Sequence, residues 1–191
     1  MPDCMIDLET FGTSLNAVIV SIGAVVFDPN GADSYDDLMT VKDSLKPLYL
    51  SIGVNAHQPN RIIDAKTVFW WLEQSDTARH SLTQLQSDSV PLERALDTLA
   101  IFFSRHKVRH VWSHGVTFDL MILQHAYEQL DKKPPWHFTA MRDTRTLFGL
   151  LSETELAECW IENPLKHSAV SDAACQAIAV QRAIKSLGVL K

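Results

Sequence analysis

Apolar residues open the chain in two extended runs. Met5, Ile6 and Leu8 stand in the first, which predicts a strand from Asp3 to Leu8. Ala17 to Phe27 is almost continuously apolar and predicts a second, buried strand. Asp28-Pro29-Asn30-Gly31 has the composition of a turn. A third strand is expected between Asp37 and Ser51, giving an antiparallel meander. Asn55 to Asp64 has no clear period and is expected to be a loop. Beyond it the pattern turns helical. Asp64 is placed to cap a helix from about Ala65 to Gln74, which carries Phe69, Trp70 and Trp71. A second helix is expected from about Pro91 to Arg105, with Leu92, Leu96, Leu99, Ala100 and Phe103 at helical spacing. Val108 to Ser113 reads as a short buried strand, and Gly115 as a turn. Thr117 is the expected cap of a helix from Phe118 to Leu130. A strand near Phe138 to Met141 follows, then Asp143 as cap of a helix through Leu150. The last helix is expected from about Ser168 to Leu187. Its alanines, among them Ala169, Ala173 and Ala177, would let it lie close to a sheet. Three strands followed by alternating helices and strands predict an α/β or α+β domain, a mixed sheet flanked by helices.

Composition narrows the class. The 191 residues suffice for one domain, expected to span 1–191. No apolar run reaches the ~18 residues that cross a bilayer, and Ser21 and Gly23 break the longest one. The start, Met1-Pro2-Asp3-Cys4, lacks the basic region of a signal peptide. Cys4, Cys159 and Cys175 are scattered without zinc-type spacing, and are expected to be reduced thiols in a cytoplasmic protein with no membrane partner. Net charge is −6, from 17 basic and 23 acidic residues. That argues against broad capture of duplex nucleic acid through many phosphate contacts. It leaves room for a small site in which divalent cations supply the positive charge.

Several acids stand in apolar surroundings. Asp7 and Glu9 are two apart on the first strand, so they share a face, with Ile6 and Leu8 opposite. On an edge strand they would form a solvated acidic face. On a buried strand, which the flanking Met5-Ile6 and the apolar second strand favour, two like charges need a shared compensator, and a metal ion provides one. Asp119 begins a helix after a strand and a glycine turn; taken alone, it is an ordinary helix-dipole acid. Asp172, taken alone, is an ordinary helix acid. His167 lies five positions before it, about 140° away around a continuous helix, so the two share a site only if His167 stands on the preceding loop. Pro164 supports a loop there.

Together these motifs resemble the DEDD superfamily of 3′–5′ exonucleases, in its DEDDh subgroup. The pattern D-x-E-[TS] resembles Asp7-Leu8-Glu9-Thr10. The second motif, an aspartate after a phenylalanine and a small-residue turn, resembles Gly115-Val116-Thr117-Phe118-Asp119. The third, H-x-A-x-x-D, matches His167 through Asp172 at every fixed position. Three motifs in order along nearly the whole chain weigh far more than any one. Asp7 to Gly12, the long second strand and Phe27-Asp28-Pro29 look most like the branch of phage exonuclease A, exodeoxyribonuclease VIII and the mycobacterial-type exoribonuclease. Val68-Phe69-Trp70-Trp71 and Arg142-Asp143-Thr144-Arg145 are similar to segments of that branch. His114 departs from the asparagine or small residue expected before the glycine of the second motif.

The resemblance implies a ribonuclease-H-like mixed sheet, three antiparallel strands followed by parallel ones. It implies hydrolysis with two divalent ions, Mg2+ or Mn2+. Asp7 would bridge both ions, Glu9 and Asp172 would complete the first, and Asp119 would hold the second, partly through water. His167 would be the general base. The substrate would be a single-stranded 3′ end of DNA or RNA, shortened by one nucleoside 5′-monophosphate at a time. Thr10 and Phe11 would contact the terminal nucleotide, with core packing an equal reading of Phe11. Arg142, Arg145 and Lys166 are candidate phosphate contacts, though each taken singly is more readily read as ordinary solvated surface. Trp70 and Trp71 are expected in a core or an interface, since members of the superfamily often form homodimers. A silent nucleic-acid-binding module and a proofreading subunit of a polymerase complex are the competing readings.

Overall fold

The computed structural model describes residues 1–40, 47–54, 58–84 and 89–188. Part of the third-strand window (41–46) and of the expected loop (55–57) lies outside the described residues. Five strands form one sheet: β1 (Asp3–Thr10), β2 (Ile19–Phe27), β3 (Leu48–Ser51), β4 (Val111–Ser113) and β5 (Met141–Asp143), in the order β3-β2-β1-β4-β5. β1 pairs antiparallel with β2 and parallel with β4. β2 and β3 pair antiparallel, β4 and β5 parallel. The expected mixed sheet is therefore present, and β1 is its central strand.

The helices are α1 (Tyr35–Met39), α2 (Ala65–Leu72), α3 (Asp76–Gln84), α4 (Leu92–His106), α5 (Asp119–Gln129), α6 (Thr144–Phe148), α7 (Glu153–Cys159) and α8 (Ala169–Ser186). Alternation along β1 sorts its side chains into two cores. Cys4, Ile6 and Leu8 pack with Leu96, Leu99 and Phe102 of α4 and with Leu120 and Leu123 of α5. Met5 packs on the other side, with Ala173, Ala174 and Ala177 of α8. Asp7 and Glu9 continue the Met5 face, so both lie beneath α8. Among the described residues, no helix is long and apolar enough to cross a membrane. The three cysteines are buried and unpaired with one another.

The close approach of α8 depends on one glycine. Gly23 faces Asp7 across the β1–β2 pairing. A Cβ there would stand 2.2 Å from the Ala169 carbonyl carbon and the Val170 nitrogen. The backbone of α8 therefore rests directly on β2. Gly23→Ala is expected to push the helix off the sheet and to destabilise the protein by roughly 1–3 kcal/mol or more, as overpacking does. Thermal denaturation checks this; an unchanged melting temperature would show that α8 does not sit as described.

Several expectations need correction. Thr117 is not a cap: α5 begins at Asp119, with Phe118 in the cap position and no side-chain cap bond. The chain turns instead through Gly115, at φ +115°, closed by the Phe118 N–H donating to the Gly115 carbonyl. Phe138–Ala140 is a 3₁₀ turn, and the strand starts only at Met141, where β4 offers a partner. The strand expected from Val108 shrinks to Val111–Ser113, the stretch that β5 pairs. The helix expected to run to Gln74 ends at Leu72. The caps Asp64 and Asp143 are present, each accepting a backbone N–H two residues on.

Candidate active site

Four acids converge from three elements. β1 supplies Asp7 and Glu9, α5 supplies Asp119 and α8 supplies Asp172. Carboxylate oxygens of Asp7, Glu9 and Asp172 all lie within 4.8 Å of one another. Asp119 is 3 % exposed and sits against β1, where its Oδ1 accepts the Leu8 N–H at 3.1 Å. That bond ties the first turn of α5 to the strand carrying the other acids. The Asn163 Nδ2 donates to Asp172 Oδ1 at 2.8 Å, and the Gln176 Nε2 donates to Asp7 Oδ1 at 2.8 Å.

No ion pair among the described residues balances these charges, although Arg145 acts on Asp119 and His167 on Asp172 as nearby cations. Ion pairs among the described residues involve Asp3, Asp76, Glu93 and Asp97, and none of the four site acids. Burial, then the charges of Asp119, Glu9 and Asp172, hold Asp7 well above the usual carboxylate range. Burial, then Asp172 and Asp119, push Glu9 up to about 8. Burial pushes Asp119 up to about 7 in spite of the Leu8 hydrogen bond. Burial also raises Asp172, with His167 and Asn163 pulling it partly back. The Asp172 Oδ2 is buried with no hydrogen-bond partner. A cluster of hard, anionic oxygens with no ion-paired cation among the described residues fits magnesium or manganese. The acid set therefore suits the divalent ions implied by the motifs.

His167 stands where the sequence requires it, outside α8, with Ser168 in the cap position. Its backbone takes φ +64°, a left-handed conformation uncommon outside glycine. The ring lies edge-on to both tryptophans of α2, with centroids 5.2 Å from Trp70 and 5.7 Å from Trp71. Trp71 is buried, and its Nε1–H donates to the Thr10 carbonyl at 3.0 Å, pinning α2 to the end of β1. Sequence reasoning placed these tryptophans in a core or an interface and missed their contact with His167. It also missed Gln176, Asn163 and the close approach at Gly23.

Two clefts flank the acids. One of about 610 Å³ is lined by Glu9, Thr10, Trp70, Trp71 and Phe118 among others. The second, of about 450 Å³, is lined by His114, Trp160, Lys166, His167, Asp172 and Gln176 among others. Thr10 lies in the first cleft, its hydroxyl donating to the Gly12 carbonyl at 2.6 Å. Phe11 is half-buried, hydrogen-bonded through its backbone to Val18 and Asp64, and lines neither cleft. Arg142 also lines neither; its guanidinium donates to the Thr139 and Met141 carbonyls. Arg145 lies against Gly115, and Lys166 reaches the second cleft. His114, the departure from the motif, shares a hydrogen bond of 2.7 Å with the Thr144 hydroxyl and packs edge-on to Trp160. Burial, then Arg145, lowers its pKa.

Comparison with known proteins agrees with this geometry. The exodeoxyribonuclease of Enterobacteria phage T4 is 22 % identical over 210 residues, spanning 97 % of this chain and 90 % of its own. The nuclease domain of 3′hExo, a DEDDh family member bound to rAMP, superposes with a TM-score of 0.64 at 11 % identity, over 100 % of this chain and 94 % of that one. The Mg2+- and Mn2+-bound form of Pop2p from S. pombe superposes with a TM-score of 0.61 at 13 % identity, over 97 % and 83 %. Residues 2–184 match the family described as the 3′-5′ exoribonuclease Rv2179c-like domain. With its ribonuclease-H-like sheet and its converging acids, the chain belongs to that family of 3′–5′ exonucleases.

Proposed function

We propose that this protein is a DEDDh-type exonuclease that uses two divalent metal ions to remove nucleoside 5′-monophosphates from single-stranded 3′ ends. The observation that carries this reading is the meeting of Asp7, Glu9 and Asp172 within 4.8 Å, with no lysine or arginine ion-paired to them among the described residues. Asp7, Glu9 and Asp172 would hold one ion, and Asp7 with Asp119 the other. Bound Mg2+ or Mn2+ would supply the positive charge that activates water and stabilises the departing 3′ oxygen.

The chain's own groups do the remainder. An imidazole nitrogen of His167 accepts the proton of the attacking water as its oxygen bonds to phosphorus and the bond to the 3′ oxygen breaks. Trp70 and Trp71 restrict the imidazole, so it need not be ordered at the moment of reaction. The cleft lined by Thr10, Trp70 and Phe118 lies beside the acids and accommodates the terminal nucleoside. Its apolar walls suit any base, which favours sequence-tolerant degradation.

A 5′-labelled single strand incubated with the protein and Mg2+ or Mn2+ should shorten one nucleotide at a time from its 3′ end, and remain intact with chelator. Stable binding without cleavage in either metal would favour the silent module. Cleavage only after adding a polymerase partner would favour the proofreading subunit.

A further inference from the structure

Gln176 lies outside the three motifs, yet it touches the central acid. It stands one turn beyond Asp172 on α8 and is 7 % exposed. Its Nε2 donates to Asp7 Oδ1 at 2.8 Å, while its Oε1 is buried without a hydrogen-bond partner. A buried amide that uses its donor and leaves its acceptor idle is a poor structural choice. An apolar side chain would fill the same space without an idle polar atom.

The orientation has a reason. The reverse amide would aim Oε1 at a carboxylate, so Asp7 itself fixes which end faces it. Asn163 treats Asp172 in the same way. Its Nδ2 donates to Asp172 Oδ1, and its Oδ1 is occupied by the Ser171 hydroxyl at 2.6 Å and the Leu165 N–H at 2.9 Å. Two acids of the set are thus held by neutral amides rather than by lysine or arginine. A cation at 176 would neutralise Asp7 and compete with an incoming metal. A glutamate would add another negative charge and lose the donor. An amide orients the carboxylate and leaves its charge available.

We infer that Gln176 is a positioning residue for metal capture: it orients Asp7 through a neutral donor and keeps Oε1 as an acceptor for water carried by the ions. The inference rests on the metal-dependent reading above. Hydrated divalent ions, magnesium above all, retain several waters when bound, each with protons to donate. Gln176 is among the residues lining the second cleft, as are Asp172 and His167, and its Oε1 is buried there behind the Asp7 contact.

The test is calorimetric titration of the metal-free 191-residue chain with Mn2+, with melting temperatures and single-strand cleavage measured alongside. In Gln176→Met, which keeps the side chain's length but removes the donor, Mn2+ affinity should fall ~10–100-fold, as for other groups that orient a metal ligand. The Mn2+ concentration giving half-maximal cleavage should rise by the same factor, and kcat at saturating Mn2+ should stay within a few-fold of wild type. Gln176→Lys should raise the melting temperature of the metal-free protein and abolish Mn2+ binding. A Gln176→Met protein with wild-type Mn2+ affinity overturns the inference; a lowered melting temperature beside it would mark a merely structural role. Lost kcat at saturating metal with unchanged affinity overturns it as well. If Gln176→Met is misfolded, Gln176→Lys decides: wild-type Mn2+ binding by that variant would sink the proposal. Absence of Mn2+ binding by the wild-type chain would overturn the metal reading itself, and the inference with it.

Discussion

Asp7→Asn is expected to reduce exonuclease activity to background and, at pH 8, to make the metal-free protein more stable than wild type. Both effects have one cause. Asp7 lies at the meeting point of the acids, and on the proposed mechanism its carboxylate would supply charge that the ions need. Asparagine keeps an oxygen to accept the Gln176 N–H and removes that charge. The sign of the stability change follows from proton linkage. Asp7 is raised well above the usual carboxylate range, Glu9 to about 8 and Asp119 to about 7. Between the ordinary carboxylate range and those raised values, the folded state holds protons that the unfolded chain has released. The stabilisation these groups offer is therefore fully present at low pH and is lost as pH rises towards 8. Removing one of the mutually repelling charges relieves part of that loss. For a chain of this size each kcal/mol relieved raises the melting temperature by roughly 2–4 °C. By the same linkage, stabilisation of the wild type by Mn2+ should grow from pH 5 to pH 8, because bound cations replace the protons. Melting curves with and without Mn2+ across that range check both statements. A lower melting temperature for metal-free Asp7→Asn at pH 8 would show that the acids do not strain the empty site.

His167→Ala is expected to slow cleavage ~10²–10⁴-fold, the usual contribution of a general base, while leaving Mn2+ affinity nearly unchanged. His167 contributes no oxygen to the acid cluster. Its ring is instead set edge-on against Trp70 and Trp71, which line the cleft that would receive the terminal nucleotide, while His167 itself lines the neighbouring second cleft. Truncation removes the proton acceptor and two ring contacts, and leaves the carboxylates in place. Single-turnover rates at saturating Mn2+, compared with calorimetric affinity, separate the two roles. Normal chemistry at saturation with lost metal affinity would make His167 a ligand-supporting residue and remove it as the base.

The parts of the site that were legible in the sequence are those whose geometry is set within one element. Residues two apart on a strand share a face, so Asp7 and Glu9 had to point together. A histidine five positions before a helix acid had to stand on the preceding loop, and His167 does. Asp64 and Asp143 cap helices because a short acceptor ahead of free N–H groups suffices. Thr117 met the same compositional test and failed it, because the turn at Gly115 and the bond from Leu8 to Asp119 set where α5 begins. The ends of β4 and β5 were misjudged for a related reason: each extends only as far as its neighbour in the sheet can pair with it.

The sequence by itself determined the principal strands, the longer helices other than α3, and the shared face of Asp7 and Glu9, since these depend on periodicity and on residue chemistry over a few positions; it gave no sign of α1, α3 or α7. Only the tertiary structure decided that Gly23 lets α8 rest on β2, that Trp70 and Trp71 enclose His167, and that Gln176 reaches an aspartate 169 positions earlier in the chain. Those relations arise from how helices pack on a twisted sheet. Packing is fixed by the sum of many contacts distant in sequence, so no local stretch of residues carries it.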